Sequence, residues 1–134
     1  MTATINTQTG RGCLVVDFVG EVATGAQGSI LNPEGVPLLI THAYWYQHVA
    51  AGAAATLQVG IGTLAAASSD IINALAIDAT AGTVWNGKAT TDASKAALTT
   101  PAIWTPTTYL NFTTAAASAL GAVGKMLVEY IRLT

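Results

Sequence analysis

The side chains best suited to bind a metal or move a proton near neutral pH are few in this sequence: two histidines, one cysteine and seven acids in 134 residues. His42 and His48 stand six residues apart in a run of β-forming residues. On one strand they share a face but lie roughly 20 Å apart, too far to hold one ion together. A metal would need Asp17 or Glu21 from a neighbouring strand as well, and no ligand spacing of the zinc type is present. Cys13 is a nucleophile only with a base beside it. It lies inside a β run with no base predicted nearby, so inert packing is expected. The acids stand at separate places, without a carboxylate pair for acid–base work. Gly60-Ile-Gly-Thr-Leu-Ala, with Asp78 downstream, loosely matches a dinucleotide fingerprint. That fingerprint works only in a parallel βαβ unit, whereas the flanks here are Thr- and Val-rich β structure. No catalytic residue, metal or cofactor is expected, and an enzyme is not the reading.

Aromatic side chains carry more information. Trp45, Trp85, Trp104 and four tyrosines are the types that dominate interface hot spots, and they also line sugar-binding faces. For the tryptophans, core packing is an equal alternative. Tyr44 and Tyr46 lie opposite in parity to Trp45 and share their parity with His42 and His48. These four are expected on an intersubunit contact, together with Thr4, Ile5 and Thr7 near the N-terminus.

The elements that must position these residues read as strands. Residues 2 to 10 are polar, β-branched and uncharged. They predict an extended arm over 1–11, with a reach of roughly 30 Å, free to pair with a neighbouring subunit's sheet edge. A single sandwich domain over 12–134 follows. In Gly12–Val22, Leu14, Val16, Phe18 and Val22 form the core face, because Asp17 and Glu21 share the other face with Cys13, Val15 and Val19. Residues 24 to 35 are rich in turn formers. The strand from about Val36 to Val49 is apolar or aromatic on both faces, as in a central strand or one whose outer face meets a partner. In Thr56–Ile61, Leu57, Val59 and Ile61 point inward. Residues 68 to 77 fit a short helix capped by Ser68 or Ser69, or a strand. A short strand over 83–88 ends in an Asn-Gly turn. Residues 90 to 101 form a polar loop, and Pro106 makes Ile103–Pro106 edge-like. Tyr109–Thr114 and Lys125–Leu133 are the last strands, with Met126, Val128 and Tyr130 inward. Seven or eight strands with turns between them predict two stacked antiparallel sheets. No internal repeat or composition shift marks a second domain.

Composition sets the partner class. Hydrophobic residues make up 51% of the chain and charged residues only 9%, against roughly a quarter in ordinary soluble domains. A surface covered by Thr, Ser, Asn, Gln, Ala and Gly is weakly hydrated and repels neighbours little, which suits a protein packed into an assembly. The net charge is −2, and the five cations are scattered, so neither nucleic acid nor an anionic membrane is expected as a partner. One cysteine allows no internal disulfide, and the N-terminus lacks the pattern of a signal peptide. Residues 49 to 69 are uncharged but mostly Ala, Gly and Thr, too weakly apolar to read as a membrane span. Asn111-Phe-Thr is a glycosylation sequon by pattern alone.

Three segments carry a likeness: Gly12-Cys-Leu-Val-Val-Asp-Phe-Val-Gly-Glu-Val, Val36-Pro-Leu-Leu-Ile-Thr-His-Ala-Tyr-Trp-Tyr and Gly124-Lys-Met-Leu-Val-Glu-Tyr-Ile-Arg-Leu, joined by Ala/Gly/Thr-rich connectors. In texture, over most of its length, the chain resembles the small head decoration, or cement, proteins of tailed bacteriophages, of jelly-roll type. The resemblance implies a homodimer or homotrimer on the outer surface of the capsid, assembled in the host cytoplasm. There it would bridge major capsid subunits against internal DNA pressure. A carbohydrate-binding module of a fibre or spike, and a tail or connector protein, are the alternatives.

Overall fold

Alternating apolar and polar residues make strands, and the computed structural model resolves them into ten over the described residues 1–8, 10–78, 84–86 and 102–133. In chain order they are β1 (Thr2–Gln8), β2 (Arg11–Val19), β3 (Gly25–Leu31), β4 (Leu38–Val49), β5 (Thr56–Gly62), β6 (Ile72–Ala76), β7 (Val84–Asn86), β8 (Ile103–Trp104), β9 (Tyr109–Ala115) and β10 (Val123–Arg132). One sheet has the order β1-β2-β10-β4-β7, with β8 also on β4, and the other has the order β3-β9-β5-β6. Every ladder is antiparallel. The chain pairs β2 with β10, β3 with β9, β4 with β7 and β5 with β6 while passing between sheets. That nested pairing is a jelly roll, so the expected all-β, two-sheet sandwich is present. The expected Asn-Gly turn and the loop over 90–101 fall outside the described residues.

The core lies between the sheets. Leu14, Val16, Phe18, Met126, Val128 and Tyr130 face Leu57, Val59, Leu110 and Phe112, all essentially sealed from solvent. Phe18 ties the layers together. Its ring meets Trp45 edge-on at 5.3 Å and Phe112 of the other sheet at 6.2 Å, within the range where aromatic pairs attract. Trp45 and Trp104 are core residues, and Trp104 Nε1 donates to the Thr108 carbonyl at 2.9 Å.

Several expectations need correction. The arm is not free: β1 folds back onto β2 in an unbroken register from Thr2↔Asp17 to Gln8↔Arg11. Gly10, at φ 73°, supplies the left-handed residue that the reversal requires. Val22 is not in the core but 42% exposed. The strand ends at Val19, because Gly20 passes so close to the Ala119 carbonyl that no side chain fits there. The Gln27 side chain then takes over the backbone of Glu21 and Val22. Residues 72–76 form a strand, so the helix alternative fails, and the strands outnumber the expected seven or eight.

Parity along β4 also departs from simple alternation. Glu129 pairs with His42 and Tyr130 with Ile40, leaving Thr41 as the extra residue of a bulge. Leu38 and Ile40 therefore face the core before the bulge, and Ala43, Trp45 and Gln47 face it after. A second bulge between Val123 and Gly124 ends the ladder beside Gln47. There Gln47 accepts from Trp45 Nε1 at 2.9 Å and donates to the Val49 carbonyl at 2.6 Å, so a buried amide keeps its partners. The Trp45 indole lies flat across Gly124, where any Cβ would collide with the ring.

The opposite end is tied by Glu34, in the β3–β4 connection. Its carboxylate accepts from Arg132 Nε and Nη2, both at 2.9 Å, and from the Tyr130 hydroxyl at 2.7 Å. Arg132 Nη1 also donates to the Arg11 carbonyl. Asn32 shapes the connection, accepting from the Glu34 and Gly35 amides and donating to the Trp104 carbonyl. The guanidinium and hydroxyl donors hold the Glu34 carboxyl below the usual range. Burial and the adjacent carboxylate push the Tyr130 phenol up.

Two outcomes are expected. Gly124→Ala drives a methyl into Trp45 and is expected to cost about 1–3 kcal/mol in urea unfolding; an unchanged midpoint would refute the contact. Glu34→Gln is expected to lose about 1–3 kcal/mol at neutral pH. Because the folded pKa is depressed, that stability is present above the unfolded value and is lost as pH falls through the folded one. The gap between variant and wild type in urea titrations should therefore narrow below about pH 4. Tyr130 has the opposite sign, and its contribution is expected to fade above about pH 10.

Candidate functional site

Each sheet turns one face outward, and the two faces differ. The outer face of β3-β9-β5-β6 is partly covered by the chain's own 63–70 segment. Asn111, wholly buried, donates to the Thr63 carbonyl at 2.8 Å and accepts from Ser29 Oγ at 2.6 Å. Ser29 Oγ accepts in turn from the Ala65 amide. Asp70 accepts from the Ile61 amide and from Ser68 Oγ. The sequon asparagine thus has both ends of its amide occupied inside the fold.

The outer face of the six-stranded sheet has no such cover among the described residues. The register arranges it in rows running across β1, β2, β10 and β4. One row is Thr2, Asp17, Lys125 and Tyr46. Here Lys125 and Asp17 pair at 3.2 Å, and Thr2 Oγ1 donates to Asp17. The next is Thr4, Val15, Leu127 and Tyr44, which carries no charge. The third is Asn6, Cys13, Glu129 and His42. In β4 the His42 and Tyr44 rings stack at 4.1 Å and 17°. Tyr46, 41% exposed, stands 6.2 Å from His48. A half-buried apolar and aromatic band therefore runs through the middle of a sheet face that has no cover among the described residues, with one ion pair on one side and Glu129 on the other.

The structure places Thr4, His42, Tyr44 and Tyr46 along this face, with Thr4 and Tyr46 exposed and Tyr44 half-buried, but His42 is buried at 8% exposure and so is not the open contact residue expected. His48 follows at its end, beside the second bulge. Ile5 and Thr7 occupy the alternate register positions of β1, opposite Leu14 and Gly12. Trp85 stands opposite Trp45 in the β7 pairing. Sequence reasoning missed Leu127 and Ile131 as surface residues. Both alternate with the inward set Met126, Val128 and Tyr130, which is the signal that places them.

Among the described residues, the third row sets Cys13, Glu129 and His42 side by side across strands, and it suits chemistry poorly. Burial, followed by the Glu129 charge, pushes the Cys13 thiol up, the reverse of what a nucleophilic thiolate requires. No group of three or more His, Cys, Asp or Glu side chains among the described residues is placed to hold a metal ion, and no helix is long and apolar enough to cross a membrane.

Alkylation of Cys13 by iodoacetamide at pH 7.5 is expected to run at least about tenfold slower than that of an unstructured thiol, and Glu129→Gln to speed it. A rate equal to that of free cysteine would contradict the assigned environment. In comparisons with known proteins, no family model matches the sequence, and no curated protein or solved structure matches the chain.

Proposed function

We propose that this chain is a structural virion protein that decorates the outer surface of a bacteriophage capsid, with the major capsid protein as its partner and the outer face of the six-stranded sheet as its docking surface. The observation that carries the reading is the half-buried, uncharged row Val15–Leu127–Tyr44 in the middle of a sheet face without cover among the described residues, on a chain only 9% charged. Such a row gains by being covered, whereas the paired Asp17 and Lys125 beside it stay hydrated at a rim. The jelly-roll topology and the resemblance in texture to cement proteins support the choice of a capsid over other protein surfaces. A contact of about 1,000 Å² suffices for a specific interface. Burying apolar area contributes roughly 25 cal/mol per Å² before association costs. Repetition over a shell multiplies a modest gain.

Tyr46 beside the Asp17–Lys125 pair is the feature that favours the alternative of a carbohydrate-binding fibre module. Capsid binding and glycan binding are separable. Shells lacking this protein are expected to take up the purified chain saturably in co-sedimentation and to resist heating better once loaded. Leu127→Glu, on the outer face and away from the core, is expected to weaken uptake by at least about tenfold with an unchanged circular dichroism melt. Labelling confined to tails, or uptake of a glycan in place of shells, would overturn the capsid reading.

A further inference from the structure

Sheet edges invite pairing with other chains, and proteins protect them with short strands, bulges or charges. Most edges here are protected. β6 has five residues and meets a register shift, β7 has three and β8 two. β3 is bulged between Ala26 and Gly28, and the Met1 side chain packs on Gly28. β1 is the exception. It runs seven residues, Thr-Ala-Thr-Ile-Asn-Thr-Gln, with no charge, no proline and no register shift against β2.

The hydrogen-bond phase of that edge follows from β2. Gly10 accepts from the Arg132 amide at 3.0 Å, and Gly20 donates to the Ala122 carbonyl at 2.8 Å. Even-numbered residues of β2 therefore turn their backbone groups to β10, and odd-numbered ones, Arg11 to Asp17, turn theirs to β1. Their partners Thr2, Thr4, Asn6 and Gln8 spend their N–H and C=O groups on β2. Ala3, Ile5 and Thr7 are left holding theirs toward the open edge.

We propose that two copies of the chain pair antiparallel through β1, about a two-fold axis at Ile5, joining their six-stranded sheets into one. The free positions 3, 5 and 7 are symmetric about 5. The axis therefore sets Ala3 opposite Thr7 of the second copy and Ile5 opposite Ile5, and every free donor meets a free acceptor. Backbone pairing alone would accept any extended strand without proline at the facing positions; the charges along the rows are what favour a second copy. Charge agrees with this register. In register, the row Lys125–Asp17–Thr2 continues into Gln8–Arg11 of the second copy, so the residue types nearest the junction are neutral and the first charged positions beyond them, Asp17 and Arg11, are opposite in sign. The pairing uses an edge rather than a face and does not rest on the capsid reading.

Sedimentation equilibrium of the full chain is expected to give twice 13.6 kDa, dissociating on dilution. Amide hydrogens of Ala3, Ile5 and Thr7 are expected to exchange slowly in the dimer. Ala3→Pro removes one free-edge donor per copy, leaves the β2 ladder intact, and is expected to give a 13.6 kDa species with rapid exchange at Ile5 and Thr7 and an unchanged melt. Thr7→Pro removes the facing donor from the other end of the same strand and is expected to act alike. A monomer up to the solubility limit, a trimer, or a dimer that survives both prolines would overturn the proposal.

Discussion

The fold and its open face both depend on the bulge at Thr41. Side chains on a strand alternate with a period of two, so one strand cannot present Leu38, Ile40, Ala43 and Trp45 to the same core without an inserted residue. Thr41 is that residue, and its hydroxyl donates to the Glu129 carbonyl beside it. With the insertion, the first half of β4 packs through even-numbered positions and the second half through odd-numbered ones. Without it, Trp45 would turn to solvent, and Tyr44 and Tyr46 would be driven inward, each with a phenol to satisfy. The inner aromatic cluster and the outer aromatic band are therefore two results of one local irregularity.

The two ends of the sandwich are closed by different means. At one end a buried indole lies across a glycine, with a glutamine amide taking up its N–H group. Close packing does the holding there, and a single methyl is the scale of the tolerance. At the other end the Glu34 carboxylate gathers two donors from Arg132 and one from Tyr130, which pins the β3–β4 connection to the last strand. Its side chain and that of Arg132 keep 16% and 18% of their exposure. The pair is thus shielded enough for its bidentate geometry to count, yet neither ion is stranded in the core.

Much of this was legible in the sequence, for a physical reason. Where a strand is regular, alternation fixes its faces, and Leu14, Val16, Phe18, Leu57, Val59, Met126, Val128 and Tyr130 all face as their parity predicts. Where the ladder is irregular, parity misleads: Thr41 is chemically an ordinary strand residue, and nothing local marks it as an insertion. Val22 failed similarly, because the strand is ended by the close approach of Ala119, almost a hundred residues away. The N-terminal segment is extended, as its composition predicts, but it pairs with β2 of its own chain and is not free. A polar β-branched segment has the same composition whether it pairs with its own chain or with another, and only the turn at Gly10 decides. On the candidate site, the parity shared by His42, Tyr44 and Tyr46 was readable, but Leu127 and Val15, which complete the row, needed the register.

Low charge has a further geometric consequence. In an antiparallel pair the two-fold axis relating neighbouring strands stands perpendicular to the sheet, so sheets joined through β1 keep their outer faces on the same side. Each copy would then bring its Val15–Leu127–Tyr44 row to one doubled platform. A surface docking through such a platform is gripped at two places at once. The second engagement becomes intramolecular, and the avidity can exceed that of either contact alone by orders of magnitude. A charge-rich surface would repel itself at the junction and at the rim. A surface whose three rows carry only the Asp17–Lys125 pair and Glu129 can meet both itself and a flat partner, using its backbone at the edge and its apolar row on the face.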